Sequence, residues 1–407
     1  MKQTVTLKDI QRAGQHLKDV LLLTPTIEAP WLNVLVKGKV YLKLENLQVT
    51  NSFKPRGAYI KMLQLNDDER RRGVIAMSAG NHAQGVAYHA HKLAIPAVIV
   101  MPTNTPVAKV ERTQVWGAKV VLAGTHLSES AAKAQELMEQ HGYTLIHPYD
   151  DAAIIAGQGT IALEMLKSQP KIDTFIIPVG GGGLASGMAT AIHGLDHTKE
   201  IYGVQSTACP AMIQALYPQR WFMPPEAGTT PIAEGIAVKN PGQITTRILR
   251  HHLTDILSVT DDQIESAMNT LLIEGRLVTE GAGAAGVAAL LAHKDLFVGK
   301  TIGIVICGGN VDARIISSLV MRGLVHARKL VRLKIRIHDA PGMLARLAGI
   351  IGNLGGNIFE INHQRLFNRI TVKMADIDAI VETRGHDHAC EIVKHLTDGG
   401  FPTKVIE

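Results

Sequence analysis

The sequence predicts an α/β fold with two parallel-sheet subdomains, followed by a smaller α+β domain of βαββαβ order. Three observations predict it. Between residue 40 and about residue 310, short β-branched runs alternate with helical patterns; many of these runs end in glycine-rich turns; and after about residue 325 the apolar periodicity changes. The first domain is placed at residues 1–325 and the second at residues 330–407.

The runs VYLKLENL, VIAMSAG, PAVIVMP, AKVVLAG, TLIHP, DTFIIPVGG, EIYGVQS and TIGIVICGG read as buried strands. Between them, segments such as HLSESAAKAQELMEQHG and AAIIAGQGTIALEMLKSQ carry apolar residues three and four apart and read as helices. Alternation of this kind makes parallel sheets covered on both faces. Helices that begin at glycine-rich turns put a ligand at the carboxyl edge of such a sheet. ARIISSLVMRGLVHARKL reads as the last helix of the first domain plus a basic connector. In VRLKIRI, Val331, Leu333, Ile335 and Ile337 alternate with Arg332, Lys334 and Arg336, which is a half-solvated strand. A helix with Leu344, Leu347, Ile351 and Leu354 on one face follows, then strands at NIFEINHQR and RITVKMAD, a helix over HACEIVKHLTDGG and a last strand at PTKVIE.

Composition narrows the function. A 407-residue chain that is 46% hydrophobic and 19% charged is neither disordered nor a coiled coil. Its net charge of +6 is not gathered into a basic stripe and aromatics make up only 4%, so no nucleic-acid partner is expected. No apolar run approaches the ~18 residues of a membrane span. The N-terminal MKQTVTLKDIQRAG lacks the apolar core of a signal peptide, which predicts a cytoplasmic protein. Cys209, Cys307 and Cys390 are too few and too scattered for a disulfide framework or a CxxC metal site.

Four motifs carry chemistry. In SFKPRGA, Lys54 stands at the head of a helix that Pro55 begins. The positive end of the helix dipole disfavours a cation there and depresses the lysine pKa, which suits a nucleophile or base; a surface loop lysine is the alternative. In GGGGLASG, the amides of Gly180, Gly181, Gly182 and Gly183 can converge on an anion where the next helix begins, with phosphate the natural guest. The stretch lacks the Gly-Lys-Ser/Thr of a P-loop. Gly180, Gly182 and Ala185 keep a dinucleotide open, although the next strand ends near Gln205 without the acid that would hold a ribose. In SAGNHAQG, Ser78, Ala79, Gly80, Asn81 and His82 offer an amide nest for a carboxylate, with Asn81 either a donor to the ligand or a helix N-cap. In CGGN, Cys307 ends a buried strand and taken alone is a core residue.

These four motifs, in this order, resemble the pyridoxal-phosphate enzymes of the tryptophan synthase β (fold type II) superfamily, most nearly its threonine dehydratases, over residues 1 to about 325. The resemblance implies pyridoxal 5'-phosphate as cofactor, with Lys54 as its Schiff-base lysine and Phe53 and Asn81 flanking it. It implies Gly180, Gly181, Gly182, Gly183 and Leu184 around the phosphate, Cys307 facing the pyridine nitrogen, and Gly235 and Glu280 beside the ring. Ser78, Ala79, Gly80, Asn81 and His82 then receive the substrate carboxylate. The implied reaction is elimination from L-threonine to 2-oxobutanoate and ammonia, with L-serine a further substrate and freed Lys54 removing the α-proton. A thiol cannot hold a pyridinium proton as a carboxylate can, so a ring facing Cys307 is a weaker electron sink, which favours elimination over transamination. Serine racemases resemble Ser-Gly-Asn where this chain has Ala79-Gly80-Asn81, and Ala79 has no proton to give, so dehydration is favoured over racemisation. Gln205 and Cys209-Pro210 supply no carboxylate for the divalent cation of the racemase-like relatives, and no metal is expected. Two alternatives stay open: a dehydratase for serine or another β-hydroxy amino acid, and a non-catalytic amino-acid sensor, against which Lys54 argues.

In the second domain, Asp339-Ala340-Pro341-Gly342-Met343-Leu344 and Gly356-Asn357-Ile358 resemble an ACT domain. That resemblance implies an amino-acid effector at the Pro341-Gly342 turn and pairing of single copies between chains, hence a homo-oligomer, dimer or tetramer. A purely oligomerising module is the alternative. His386-Asp387-His388 reads as a solvated loop rather than a metal site.

Overall fold

The computed structural model describes residues 5–220, 222, 230–365, 371 and 373–406. The chain divides into two compact units, Met1–Val311 and Asp312–Glu407.

In the first unit, β1 (Thr26–Glu28) and β2 (Lys39–Leu44) begin a larger sheet, and β3 (Val74–Met77), β4 (Ala97–Met101), β5 (Lys119–Leu122) and β6 (Thr144–Leu145) form a smaller one. The chain then returns through β7 (Thr174–Pro178), β8 (Glu200–Ser206), β9 (Asp255–Val259) and β10 (Thr301–Ile306) to complete the larger sheet. Its order is β1-β2-β10-β7-β8-β9, parallel throughout except that β1 runs antiparallel to β2 at the edge. The smaller sheet, β5-β4-β3-β6, is wholly parallel. All eight strands expected in this region are present. β1 and β9 were not foreseen, because a three-residue half-exposed strand and the polar-interrupted DILSV lack a continuous β-branched run.

The helices Ala152–Ser168 and Gly281–Ala292 are buried along most of their length, and their small apolar residues suit a position between layers rather than at the surface. Three of the four motifs directly follow the carboxyl ends of β3, β7 and β10. The fourth, with Lys54, opens the helix Lys54–Leu63.

That helix is anchored by a buried ion cluster. Arg56, 1% exposed at its side chain, donates from Nε and Nη2 to Glu45 at 2.7 and 2.8 Å, and from Nη1 to Glu164 at 2.6 Å and Thr160 at 3.1 Å. Lys43 lies 2.5 Å from Glu164 and 2.6 Å from the Thr24 carbonyl, so two cations balance two carboxylates. Burial alone would raise the Glu45 pKa, but Arg56 and Lys43 outweigh it and hold the carboxyl below its usual range. Burial lowers the pKa of Lys43 despite Glu164 and Glu45.

The second unit contains β11 (Leu330–His338), β12 (Asn357–Gln364), β13 (Met374–Glu382) and β14 (Thr403–Ile406), in antiparallel order β12-β13-β11-β14. With the helices Met343–Asn353 and His386–Asp398 this is the expected βαββαβ order, and both helices pack with the strands into one core. β11 alternates buried and exposed residues as predicted. Four details differ. The strand expected at RITVKMAD runs from Met374 to Glu382 instead, because its buried alternation continues through DIDAIV; residues 369, 370 and 372 of that expectation lie outside the described residues. Leu354 caps its helix rather than continuing it. His386, Asp387 and His388 form a helical first turn rather than a loop, and His388 is buried with its Nε2 on the Leu354 carbonyl at 2.9 Å. Finally, the helix Ala313–His326, expected to close the first domain, groups with the second unit. It contacts β11, and Thr383 Oγ1 donates to the Arg328 carbonyl just beyond it, so the division falls near residue 311 rather than 325.

Replacing Arg56 by Ala strands Glu45 without its main counter-charge, and urea denaturation should show a loss of about 3–5 kcal/mol of stability.

Candidate active site

Lys54 is the first residue of its helix, one position earlier than Pro55 alone suggested. It is half-buried, and Nζ donates to the Pro148 carbonyl at 2.9 Å and lies 5.2 Å from the centre of the Phe53 ring. Desolvation pulls its pKa down to about 8, against the raising influence of Cys307 and Glu280. The consequence is large. At pH 7 about one amine in ten is neutral, against about one in three thousand at the ordinary value of 10.5.

The segment before Lys54 is tied to the end of β10: Phe53 N donates to the Cys307 carbonyl at 3.2 Å and Ser52 bridges to Gly308. Cys307 is 2% exposed, and burial, reinforced by Glu280, pushes its thiol well above its normal pKa, so it is neutral. A methyl group on Gly308 would run into Glu280 Oε1 and lie 3.2 Å from Asn81 Nδ2, which is why that position carries no side chain. Gly235 is beside the same carboxylate, where a methyl would lie 3.3 Å from Glu280 Oε1.

Asn81 is not an N-cap. Gly80 occupies that position, and Asn81 begins the helix Asn81–Lys92 with its side chain held at both ends. Its Nδ2 donates to Glu280 Oε1 at 2.7 Å, while Asn310 Nδ2 donates to its Oδ1 at 2.7 Å and to the Thr50 carbonyl at 2.8 Å. Burial raises the Glu280 pKa to about 7, with Asn81 and Lys109 pulling the other way. His82 is buried and donates from Nε2 to the Ile146 carbonyl at 2.7 Å. Desolvation and then Lys54 lower its pKa to about 3, so it is a neutral junction histidine whose contribution to a ligand is its amide. Within the predicted nest, Ser78 N is bonded to the Val100 carbonyl and Gly80 N to Ser78 Oγ, whereas the amides of Asn81 and His82 open a helix that no side chain caps. Ala79 is half-buried beside them.

The glycine loop follows β7 and becomes the helix Gly183–Leu195, whose N-cap Gly182 has φ +94° and whose first turn no side chain caps. The first-turn amides, including those of Gly183 and Leu184, have no partner within their own helix. Gly180 packs on Ile236, and the Tyr149 ring packs so closely on Gly181 that no side chain fits there. Thr245 Oγ1 donates to the Gly181 carbonyl at 2.7 Å and orients the loop. An uncapped, glycine-lined helix start suits a phosphate, and a lysine of depressed pKa suits an aldehyde, so the residues fit pyridoxal 5'-phosphate.

Three contributors escaped the sequence reading. Asn310 closes the CGGN motif, Pro148 lies beyond the end of β6, and Thr245 is in the first turn of the separate helix Gln243–His252; only Asn310 sits inside a motif that could signal it. Among the described residues, no group of three or more His, Cys, Asp and Glu is placed to hold a metal ion, and no helix is long and apolar enough to cross a membrane.

Residues 18–308 match the family described as pyridoxal-phosphate dependent enzyme. The chain is 39% identical over 402 residues to the L-threonine ammonia-lyase of Thermotoga maritima, covering 99% of this chain and all of that one. Among solved structures, maize serine racemase superposes with TM-score 0.73 at 30% identity over 80% of this chain and all of that one. The processed form of threonine deaminase isoform 2 from Solanum lycopersicum gives 0.72 at 32% identity over 78% of this chain and 90% of that one.

Were Lys54 to take the aldehyde of pyridoxal 5'-phosphate, uptake of the cofactor by protein stripped of it would require the neutral Lys54 amine. The uptake rate should therefore rise about tenfold per pH unit below pH 8 and level off above it, with a midpoint near the Lys54 pKa of about 8. Stopped-flow absorbance at a series of pH values measures this.

Proposed function

The chain belongs to the pyridoxal-phosphate-dependent enzymes, and from that premise we infer that it is an L-threonine ammonia-lyase, forming 2-oxobutanoate and ammonia and acting also on L-serine. The single observation that carries the site assignment is the convergence of Lys54, Cys307, Glu280 and Asn81 at the carboxyl ends of β3 and β10.

Pyridoxal 5'-phosphate, when bound, supplies the electron sink that acidifies the α-proton of an amino acid and lets its β-hydroxyl leave. Lys54 would hold its aldehyde, and Gly180, Gly181, Gly182, Gly183 and Leu184 its phosphate. Phe53, Asn81, Gly235, Glu280 and Cys307 would line its ring. The remaining amides of Asn81 and His82 take the substrate carboxylate, and the helix start behind them favours that charge. Lys54 Nζ, when free, is the general base for the α-proton, and its bond to the Pro148 carbonyl directs it. Ala79 has no proton to deliver, and the neutral His82 is engaged with Ile146, which supports proton exchange from the Lys54 side alone and so elimination over racemisation. A neutral Cys307 thiol leaves the pyridine nitrogen without a proton-holding carboxylate, which supports elimination over transamination.

The second unit supports a regulatory role. Asp339, Pro341, Gly342, His363 and Arg365 are among the residues lining a cavity of about 300 Å³ at the turn after β11, and Arg365 pairs with Asp339 at 3.0 Å. A carboxylate and a guanidinium side by side match the two charges of an amino-acid effector. Pairing of these single units would make the enzyme a homo-oligomer. Three free thiols support a reducing, cytoplasmic setting.

The test is turnover by purified protein supplied with pyridoxal 5'-phosphate. L-Threonine should yield 2-oxobutanoate, L-serine should yield pyruvate without appreciable D-serine, and Lys54→Ala should lower kcat by at least ~10³-fold. D-Serine as the main product, or a Lys54→Ala protein of undiminished rate, would refute the assignment.

A further inference from the structure

Four helices meet in series in the first unit: Asn81–Lys92 packs on Lys54–Leu63, which packs on Ala152–Ser168, which packs on Gly183–Leu195. Three of them present a part of the site at their first residues: Asn81, Lys54 and the glycine loop. The contacts between them are made at glycines. A methyl on Gly85, one helical turn after Asn81, would lie 3.1 Å from both the Lys54 carbonyl carbon and the Pro55 nitrogen. A methyl on Gly157 would lie 2.6 Å from the Gly57 Cα, and one on Gly57 would lie 2.8 Å from the Ile154 carbonyl oxygen. Two residues further along the same helix, a methyl on Gly159 would lie 2.6 Å from the Gly187 carbonyl oxygen. Packing of this kind brings helices backbone to backbone, and backbone atoms have little room to absorb an error.

We propose that Gly85, with the pairs Gly57–Gly157 and Gly159–Gly187, sets the spacing of Lys54, Asn81 and the glycine loop, and that Gly85 is a positioning residue for the reaction. The inference rests on the assignment of Lys54 and the loop made above. Its physical basis is that a cofactor held at both its aldehyde and its phosphate reports any change in their separation, and that the base must reach the α-carbon of a substrate seated at Asn81. Gly85 is the informative position because its contacts are the mildest of the series, so an added methyl asks Lys54 to give by a few tenths of an ångström. Gly14 is the control. It lies on the helix Leu7–Leu17 against the same helix Ala152–Ser168, and a methyl there meets Leu163 and Thr160 at 3.7 and 3.8 Å, an ordinary contact.

The experiment compares the parent, Gly85→Ala and Gly14→Ala as holoenzymes, reading urea midpoint, equilibrium affinity for pyridoxal 5'-phosphate, and kcat and KM for L-threonine. For Gly85→Ala we expect kcat down about three- to tenfold, scaled from the ~10²-fold cost of a 1 Å misplacement, with a weaker cofactor affinity and a urea midpoint near that of the parent. Gly14→Ala should match the parent in cofactor affinity, kcat and KM, with a urea midpoint at or above the parent's because Ala is the better helix former. A Gly85→Ala enzyme with a lowered midpoint but parental kcat and cofactor affinity would overturn the proposal, and so would a chain that does not fold, since Gly85 would then be needed for folding alone. A parent that binds no cofactor would instead refute the functional assignment, so the two failures are distinct.

Discussion

The placement of the lysine depends on the buried guanidinium of Arg56. Its five donors meet two carboxylates and a hydroxyl, joining the end of β2 through Glu45 to the helix Ala152–Ser168 through Glu164 and Thr160. Lys54 is two residues away on the same helix. With Phe53 N on the Cys307 carbonyl, the start of that helix is held from both sides. An exposed ion pair would contribute little and tolerate movement; this one is buried, so a displaced partner leaves an unpaired charge out of water. Geometry rather than net stabilisation is what such a cluster supplies.

Around that fixed point the titratable groups are driven toward neutrality. Burial lowers Lys54 to about 8, lowers His82 to about 3, raises Glu280 to about 7 and raises Cys307 further. Each shift has desolvation as its largest cause. A site of this kind lets a lysine that is still mostly protonated at pH 7 exchange its proton near neutrality, while helix starts at Asn81 and Gly183 provide oriented amides for anionic groups. Reactivity and anion binding are thus separated: the first comes from dehydration of side chains, the second from backbone.

Much of this was legible in the sequence, and the reason is local. The strand runs, the glycine loop after TFIIPV and the lysine before Pro55 are encoded in consecutive residues, and their elements lie where the pattern put them. What the sequence could not display are contacts between distant segments. Arg56 with Glu164, Asn310 with Asn81 and Lys54 with Pro148 join residues 108, 229 and 94 apart. The role of Asn81 as a held side chain rather than a cap became evident only with Glu280 and Asn310 beside it. For the helix Ala313–His326, an amphipathic pattern shows that a face is covered without showing by what, so the sequence does not display which unit it groups with.

In the proposed reaction, Lys54 is the residue that joins the cofactor. Borohydride reduction of the protein loaded with pyridoxal 5'-phosphate, followed by mass mapping of its peptides, tests this most directly. The expected result is the cofactor mass on Lys54 alone; the same mass on the paired Lys43 or Lys61, or on no peptide, would refute that role for Lys54.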